Sequence, residues 1–152
     1  MASYAGVGIG LATLLRASPV RLLQGERPIP RDLLTEGFDY HGLLQAQADE
    51  SENTDDSEST ESSSSLVWKN AVAQVALAAS ENIMHARNLQ GNVPKQARPC
   101  LLPVLPAILY LSQLEKANYD VFQLYKRQLM NDARSRITLL WWMSRTWLTG
   151  VF

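Results

Sequence analysis

The sequence predicts an all-α protein, on three observations. Apolar residues recur at intervals of three and four along the long stretches, no stretch alternates with the period of two that a half-buried strand requires, and Gly and Pro punctuate the chain between the helical patterns. At 152 residues the chain can bury one modest core and is one domain or a piece of one.

The first helix is expected from Ala2 to Arg16, with Val7, Leu11, Leu14 and Leu15 at helical spacing. Gly6, Gly8 and Gly10 lie in the same stretch, each costing up to about 1 kcal/mol of helix propensity. Close backbone approach to another element therefore has to hold it. Met1 to Leu15 carries no charge, yet it has no basic leader and falls short of the roughly 20 apolar residues of a span. It is not Arg- and Ser-rich like a transit peptide. A buried helix is the expectation.

Ser18-Pro19 and the run Gly25 to Pro30 interrupt the pattern, and Pro30 is placed to open a short helix through Asp32, Leu33 and Leu34 that Gly37 closes. His41 to Gln47 forms a further short helical stretch. The tract Asp49 to Ser65 follows, with seven of the fifteen acids and no apolar or basic residue, which predicts a disordered, Ser-rich acidic insertion. The formal net charge of −1 conceals this asymmetry: outside the tract stand fourteen basic against eight acidic residues, a balance of +6. That surplus suits an acidic partner or an anionic membrane, or a weakly basic solvated surface.

Leu66 to Leu89 is the strongest helix, with Trp68, Val72, Val75, Ala79, Ile83 and Ala86 on one face, Ser64 or Ser65 as its cap and Gly91 beyond its end. A second apolar stretch runs from Pro94 to about Lys116, with breaks or kinks expected at Pro99, Pro103 and Pro106 and its cleanest part at Ala107 to Leu114. The last helix, Arg134 to Thr149, sets Ile137, Leu140, Trp141, Ser144, Trp147 and Leu148 on one side, which predicts a buried Trp141. Trp142 points elsewhere, towards Thr138, Arg145 and Thr149.

Residue types exclude several chemistries. Cys100 is the single cysteine, so neither an internal disulfide nor a Cys-based zinc site can form. His41 and His85 lack H-E-x-x-H spacing and fit no triad, and no metal or cofactor site is predicted. Gly6-Val7-Gly8-Ile9-Gly10 follows no strand, so it is not a phosphate-binding fingerprint. No nucleic-acid motif is present. His85 and Arg87 end a long helix, where cations interact favourably with the carbonyl end of the dipole, and Arg16 ends the first helix similarly. Partner contact for His85 and Arg87, and phosphate contact for Arg16, are the functional alternatives.

The order of landmarks in the first forty residues resembles the squalene/phytoene synthase family. That family has a helix close to Q-L-T-N-I-L-R-D-x-x-x-D, a loop like G-R-x-Y-L-P and a short D-L-L helix. Here stand Gly10-Leu11-Ala12-Thr13-Leu14-Leu15-Arg16-Ala17, Gly25-Glu26-Arg27-Pro28-Ile29-Pro30 and Asp32-Leu33-Leu34. The resemblance implies a partial terpenoid-synthase-like bundle, corresponding to the C-terminal half of the family domain: residues 1–48 and 66–152 as two parts of one domain, with the 49–65 loop between them. The upstream half, with the first aspartate-rich helix, has no counterpart here, so a fragment or isoform of a longer protein is expected.

In the synthases the two aspartates hold magnesium on a prenyl diphosphate, whose departure needs that charge. Their positions correspond to Ala17 and Arg21, which marks a degenerate site. Arg21, with Arg16, remains a candidate phosphate or lipid contact.

Further motifs resemble the complex I assembly factor 6 group of that family. They are Leu15-Arg16-Ala17-Ser18-Pro19, Met84-His85-Ala86-Arg87, Val93-Pro94, Tyr119-Asp120-Val121-Phe122 and Leu139-Leu140-Trp141-Trp142. This resemblance implies a non-catalytic assembly factor at the matrix side of the inner mitochondrial membrane, with complex I subunits or other assembly factors as partners and no cofactor. A prenyl transferase fragment and a lipid- or isoprenoid-binding module without turnover are the alternatives. Trp142, Arg136 and Arg145 are the candidate peripheral membrane contacts.

Overall fold

A computed structural model describes residues 2–34, 38–45, 63–89, 101–130, 140, 141, 144 and 145. All the regular structure among them is helical. The four longest helices are α1 (Ala2–Leu23), α2 (Ser63–Asn88), α3 (Val104–Lys116) and α4 (Val121–Met130). Helix α1 packs against the other three, α2 also against α3, and α3 against α4.

Helix α2 forms as its periodicity predicts. Trp68, Val72, Val75, Ala79, Ile83 and Ala86 are all buried, joined by Ala71 and Ala76. The helix starts at Ser63, so Ser64 and Ser65 lie inside its first turn and do not cap it. Ser63 to Ser65 thus belong to the helix, while the rest of the acidic tract lies outside the described residues, as does Gly91.

Helix α1 departs from its expected face and length. The buried stripe is Ala5, Gly8, Ala12, Leu15, Ser18, Pro19 and Leu22, whereas Val7 is 47% exposed and Leu11 and Leu14 are half-buried. Small residues win this face because α1 and α2 approach closely: a Cβ on Gly8 would lie 2.6 Å from Ile83 Cγ1 and 3.0 Å from the Ala79 carbonyl oxygen. Gly6 and Gly10 have open space instead, so only the middle glycine serves this contact. Tyr4 beside His85 and Gly8 beside Ala79 show that the two helices run antiparallel.

Pro19 does not end α1, which continues to Leu23. A mid-helix proline leaves the carbonyl four residues earlier without its donor. Here that carbonyl belongs to Leu15, and the buried Ser18 hydroxyl donates to it at 2.7 Å. Ser18→Ala should therefore cost about 1–3 kcal/mol by leaving a buried acceptor unmet, and much less in a Pro19→Ala background, where the backbone N–H returns. Urea denaturation of the four proteins tests this; equal costs in both backgrounds would refute the substitution of one donor for the other.

The end of α1 comes at Gly25, whose φ of +79° suits a residue without Cβ. Gly25 N–H donates to Leu22 O at 3.0 Å and Glu26 N–H to Arg21 O at 2.9 Å, a Schellman closure. The chain then passes through a 3-10 turn, Arg31–Leu33, opened at Pro30 as expected, and a short helical stretch at 40–45. Asp39 caps that stretch by accepting from His41 N–H at 2.9 Å. Ile29, Leu34 and Leu43 pin this connection to the core.

Helix α3 begins after Pro103. Pro106 lies in its first turn, where no backbone N–H has an intrahelical partner, so it breaks nothing. Asn118 and Tyr119 adopt positive φ to close α3, and Asp120 accepts from the N–H groups of Phe122 and Gln123 at 3.0 and 2.9 Å to open α4. The Tyr119-Asp120-Val121-Phe122 motif is thus a helix corner.

Candidate functional site

The predicted site residues fall at two ends of the α1–α2 pair. Arg16, Ala17 and Arg21 lie on the C-terminal part of α1, while His85 and Arg87 end α2 beside the start of α1. About 20 Å of helix, at a rise of 1.5 Å per residue, separates Tyr4 from Ala17. These are two places, not one site.

Ala17 is half-buried and Arg21 exposed, one helical turn apart. The Arg21 guanidinium lies 3.4 Å from the Glu26 carboxylate, which the Schellman closure returns to that side of the helix. An exposed pair of this kind is worth little in stability. Among the described residues, no group of three His, Cys, Asp or Glu side chains gathers.

Arg16 is exposed and electrostatically coupled to Tyr110 of α3. Burial pushes the Tyr110 phenol well above its ordinary value of 10.0, and the Arg16 charge opposes that rise. The folded state therefore holds this proton more tightly than the unfolded chain does. The resulting stability is complete below pH 10 and is lost above it as the unfolded chain ionises. Denaturation midpoints should fall above pH 10, with a limiting slope for this one group of about 1.4 kcal/mol per pH unit. Tyr110→Phe should make that limb shallower; an unchanged slope would contradict the assignment.

A cleft of about 370 Å³ lies between α2 and α3. Ala76, Ile83 and Leu111 form its buried apolar part, Leu77 and Met84 stand exposed at its lip, and Ser80, Ser112, Arg87 and Glu115 supply polar groups. Its apolar depth and the two exposed apolar side chains at its lip suit the reception of an apolar surface. The sequence reading missed this cleft apart from Arg87. The available signal was the seven-residue interval between Leu77 and Met84, beside the face that α2 buries.

The C-terminal segment differs from expectation. Leu140 is 65% exposed and Trp141 57%, so neither belongs to the core, and Arg145 sits 5.5 Å from the Trp141 ring centroid. Trp142 and Arg136 lie outside the described residues.

Helix α1 is also long and apolar enough to cross a membrane, with a mean hydropathy of 1.2 over its best 18-residue window. The uncharged run Met1 to Leu15 is by itself too short for a span, but the helix continues past Arg16 to Leu23. One of its faces nevertheless packs into the bundle.

A family model described as squalene/phytoene synthase matches residues 1–138. A Drosophila melanogaster protein named complex I assembly factor 6 homolog is 30% identical over 118 residues, 78% of this chain and 31% of that protein. The Rattus norvegicus complex I assembly factor 6 is 26% identical over 121 residues, 80% of this chain and 32% of its own length; the Mus musculus protein matches to the same extent. The chain thus spans about a third of the length of the curated relatives it matches. No solved structure matches it significantly.

Proposed function

Because the chain belongs to the squalene/phytoene synthase family, we propose that it is a non-catalytic assembly factor for mitochondrial respiratory complex I, using a prenyl-diphosphate synthase fold as a scaffold. The names of its relatives carry this reading. The pairing of Arg21 with Glu26 beside Ala17 supports the non-catalytic part, because the positions that correspond to the metal-binding aspartates hold an alanine and an arginine. Complex I subunits or other assembly factors are the partners, met in the mitochondrion on the matrix side of the inner membrane.

Cells lacking the protein should show a selective fall in assembled complex I on native gels, restored by wild type and by an Arg21→Ala variant alike. Magnesium-dependent release of diphosphate from farnesyl or geranylgeranyl diphosphate by the purified chain would favour a prenyl transferase instead. Tight binding of either diphosphate without release would favour a lipid- or isoprenoid-binding module.

Peripheral membrane contact is part of the proposal. The exposure of Leu140 and Trp141 with Arg145 alongside supports it, since indole rings favour the headgroup region and arginine favours anionic lipid. Cardiolipin-containing vesicles should float the protein, less so in high salt. Trp142→Ala should weaken flotation more than stability; equal flotation would remove the anchor.

A further inference from the structure

Helix α2 carries a second apolar stripe besides the face that it buries. Leu66, Asn70, Ala73, Leu77, Ser80 and Met84 follow one another at alternating steps of four and three residues, the a and d spacing of a coiled-coil seam, and Arg87 continues it. The run covers about three heptads, long enough for the pattern to carry weight. Leu77 is 62% exposed, Met84 64% and Leu66 46%. Asn70 is exposed among them, and Ala73 and Ser80 are half-buried. Large apolar side chains scattered singly over a surface need no explanation, but three on one seam ask for a partner.

The stripe complements itself when reversed. With Ala73 of one copy set against Leu77 of another in antiparallel pairing, Asn70 falls on Ser80 and Leu66 on Met84. Small thus meets large, polar meets polar and apolar meets apolar, and a two-fold axis makes each pair twice. Charge agrees with this direction. In sequence α2 follows the acidic tract and ends in His85 and Arg87, so reversal sets the basic end of one helix by the acidic approach to the other. Parallel pairing would instead oppose Arg87 to its twin. A lipid surface would strip water from Asn70 and Ser80 and return no hydrogen bond. We propose that this stripe is the interface of a homodimer, in which the α2 helices of two copies pair antiparallel about an axis between Ala73 and Leu77. The dimer does not draw on the complex I role, so normal complex I in knockout cells leaves it standing.

Sedimentation equilibrium of the purified full chain tests this, with a dimer as the expected species. Leu77→Glu and Met84→Glu, both at exposed positions, should each weaken association at least tenfold while leaving helix ellipticity and the thermal midpoint of the dilute chain unchanged. Direction is read by a short bismaleimide in a Cys100→Ser background. Chains carrying Asn70→Cys, mixed with chains carrying Ser80→Cys, should crosslink to one another. Asn70→Cys alone should give no product, because about 15 Å of helical rise separates like positions in the antiparallel pair. A wild-type chain that stays monomeric up to about 100 μM, weaker than the micromolar range of specific interfaces, overturns the proposal. So does a dimer that either glutamate leaves intact, a missing mixed product, or an Asn70→Cys product that joins like chains.

Discussion

Trp68→Ala is expected to destabilise the protein by about 3–5 kcal/mol, the largest loss from any single truncation in the bundle. Trp68 is 2% exposed and sits at the meeting of three parts of the chain. Phe38 stacks at 6.3 Å, Tyr40 meets it edge-on at 6.4 Å and Phe122 of α4 lies at 6.5 Å. Arg27 completes the group above the Tyr40 ring at 5.5 Å. Removing the indole opens a cavity that rigid rings refill poorly, and it releases the connection at 38–45 from α2. Trp68→Phe should cost far less. The indole N–H is buried with no hydrogen-bond acceptor among the described residues, so its loss recovers part of a desolvation penalty of about 1–3 kcal/mol. Urea denaturation followed by helix ellipticity would measure both. A phenylalanine variant as unstable as the alanine one would show that this N–H has a partner, such as an ordered water.

Gly8→Leu should cost about 3 kcal/mol or more, for the opposite reason of excess volume. Even a methyl group there falls inside contact distance of Ile83 Cγ1 and the Ala79 carbonyl oxygen, and the latter is backbone that cannot rotate away. The two longest helices must therefore separate along their buried seam. Gly6→Ala and Gly10→Ala supply the internal control, since both positions are open. Each should gain up to about 1 kcal/mol of helix propensity. Three glycines at alternate positions in one helix are thus expected to give effects of different sign, and a similar loss at all three would refute the antiparallel α1–α2 packing.

Much of this architecture was legible from local chemistry. The face of α2 could be read because large apolar residues at helical spacing have a single way to leave water, and all six predicted residues are buried. The 3-10 turn after Pro30 was readable on similarly local grounds. Legibility was partial where small residues carried the contact: the glycines of α1 announced a close backbone approach, which Gly8 makes, but not the face that makes it. In α1 the larger Val7, Leu11 and Leu14 suggested the core face, yet Ala5, Gly8 and Ala12 hold it, because closeness to α2 outweighs side-chain area there. Pro19 misled in the same way, since the replacement donor on Ser18 becomes evident only once the helix exists.

The candidate site divides along the same line. Sequence alone determined which residue types occupy Ala17 and Arg21, the family motifs around them and the cationic end of α2, because those are matters of identity and order. It could not determine that Arg21 pairs with Glu26, that a cleft opens beside Leu77 and Met84, or that Trp141 stays exposed. The first depends on how α1 closes at Gly25, and the other two on which helical faces meet. Helical periodicity gives a residue its direction around its own axis, but only tertiary packing decides what, if anything, lies in that direction.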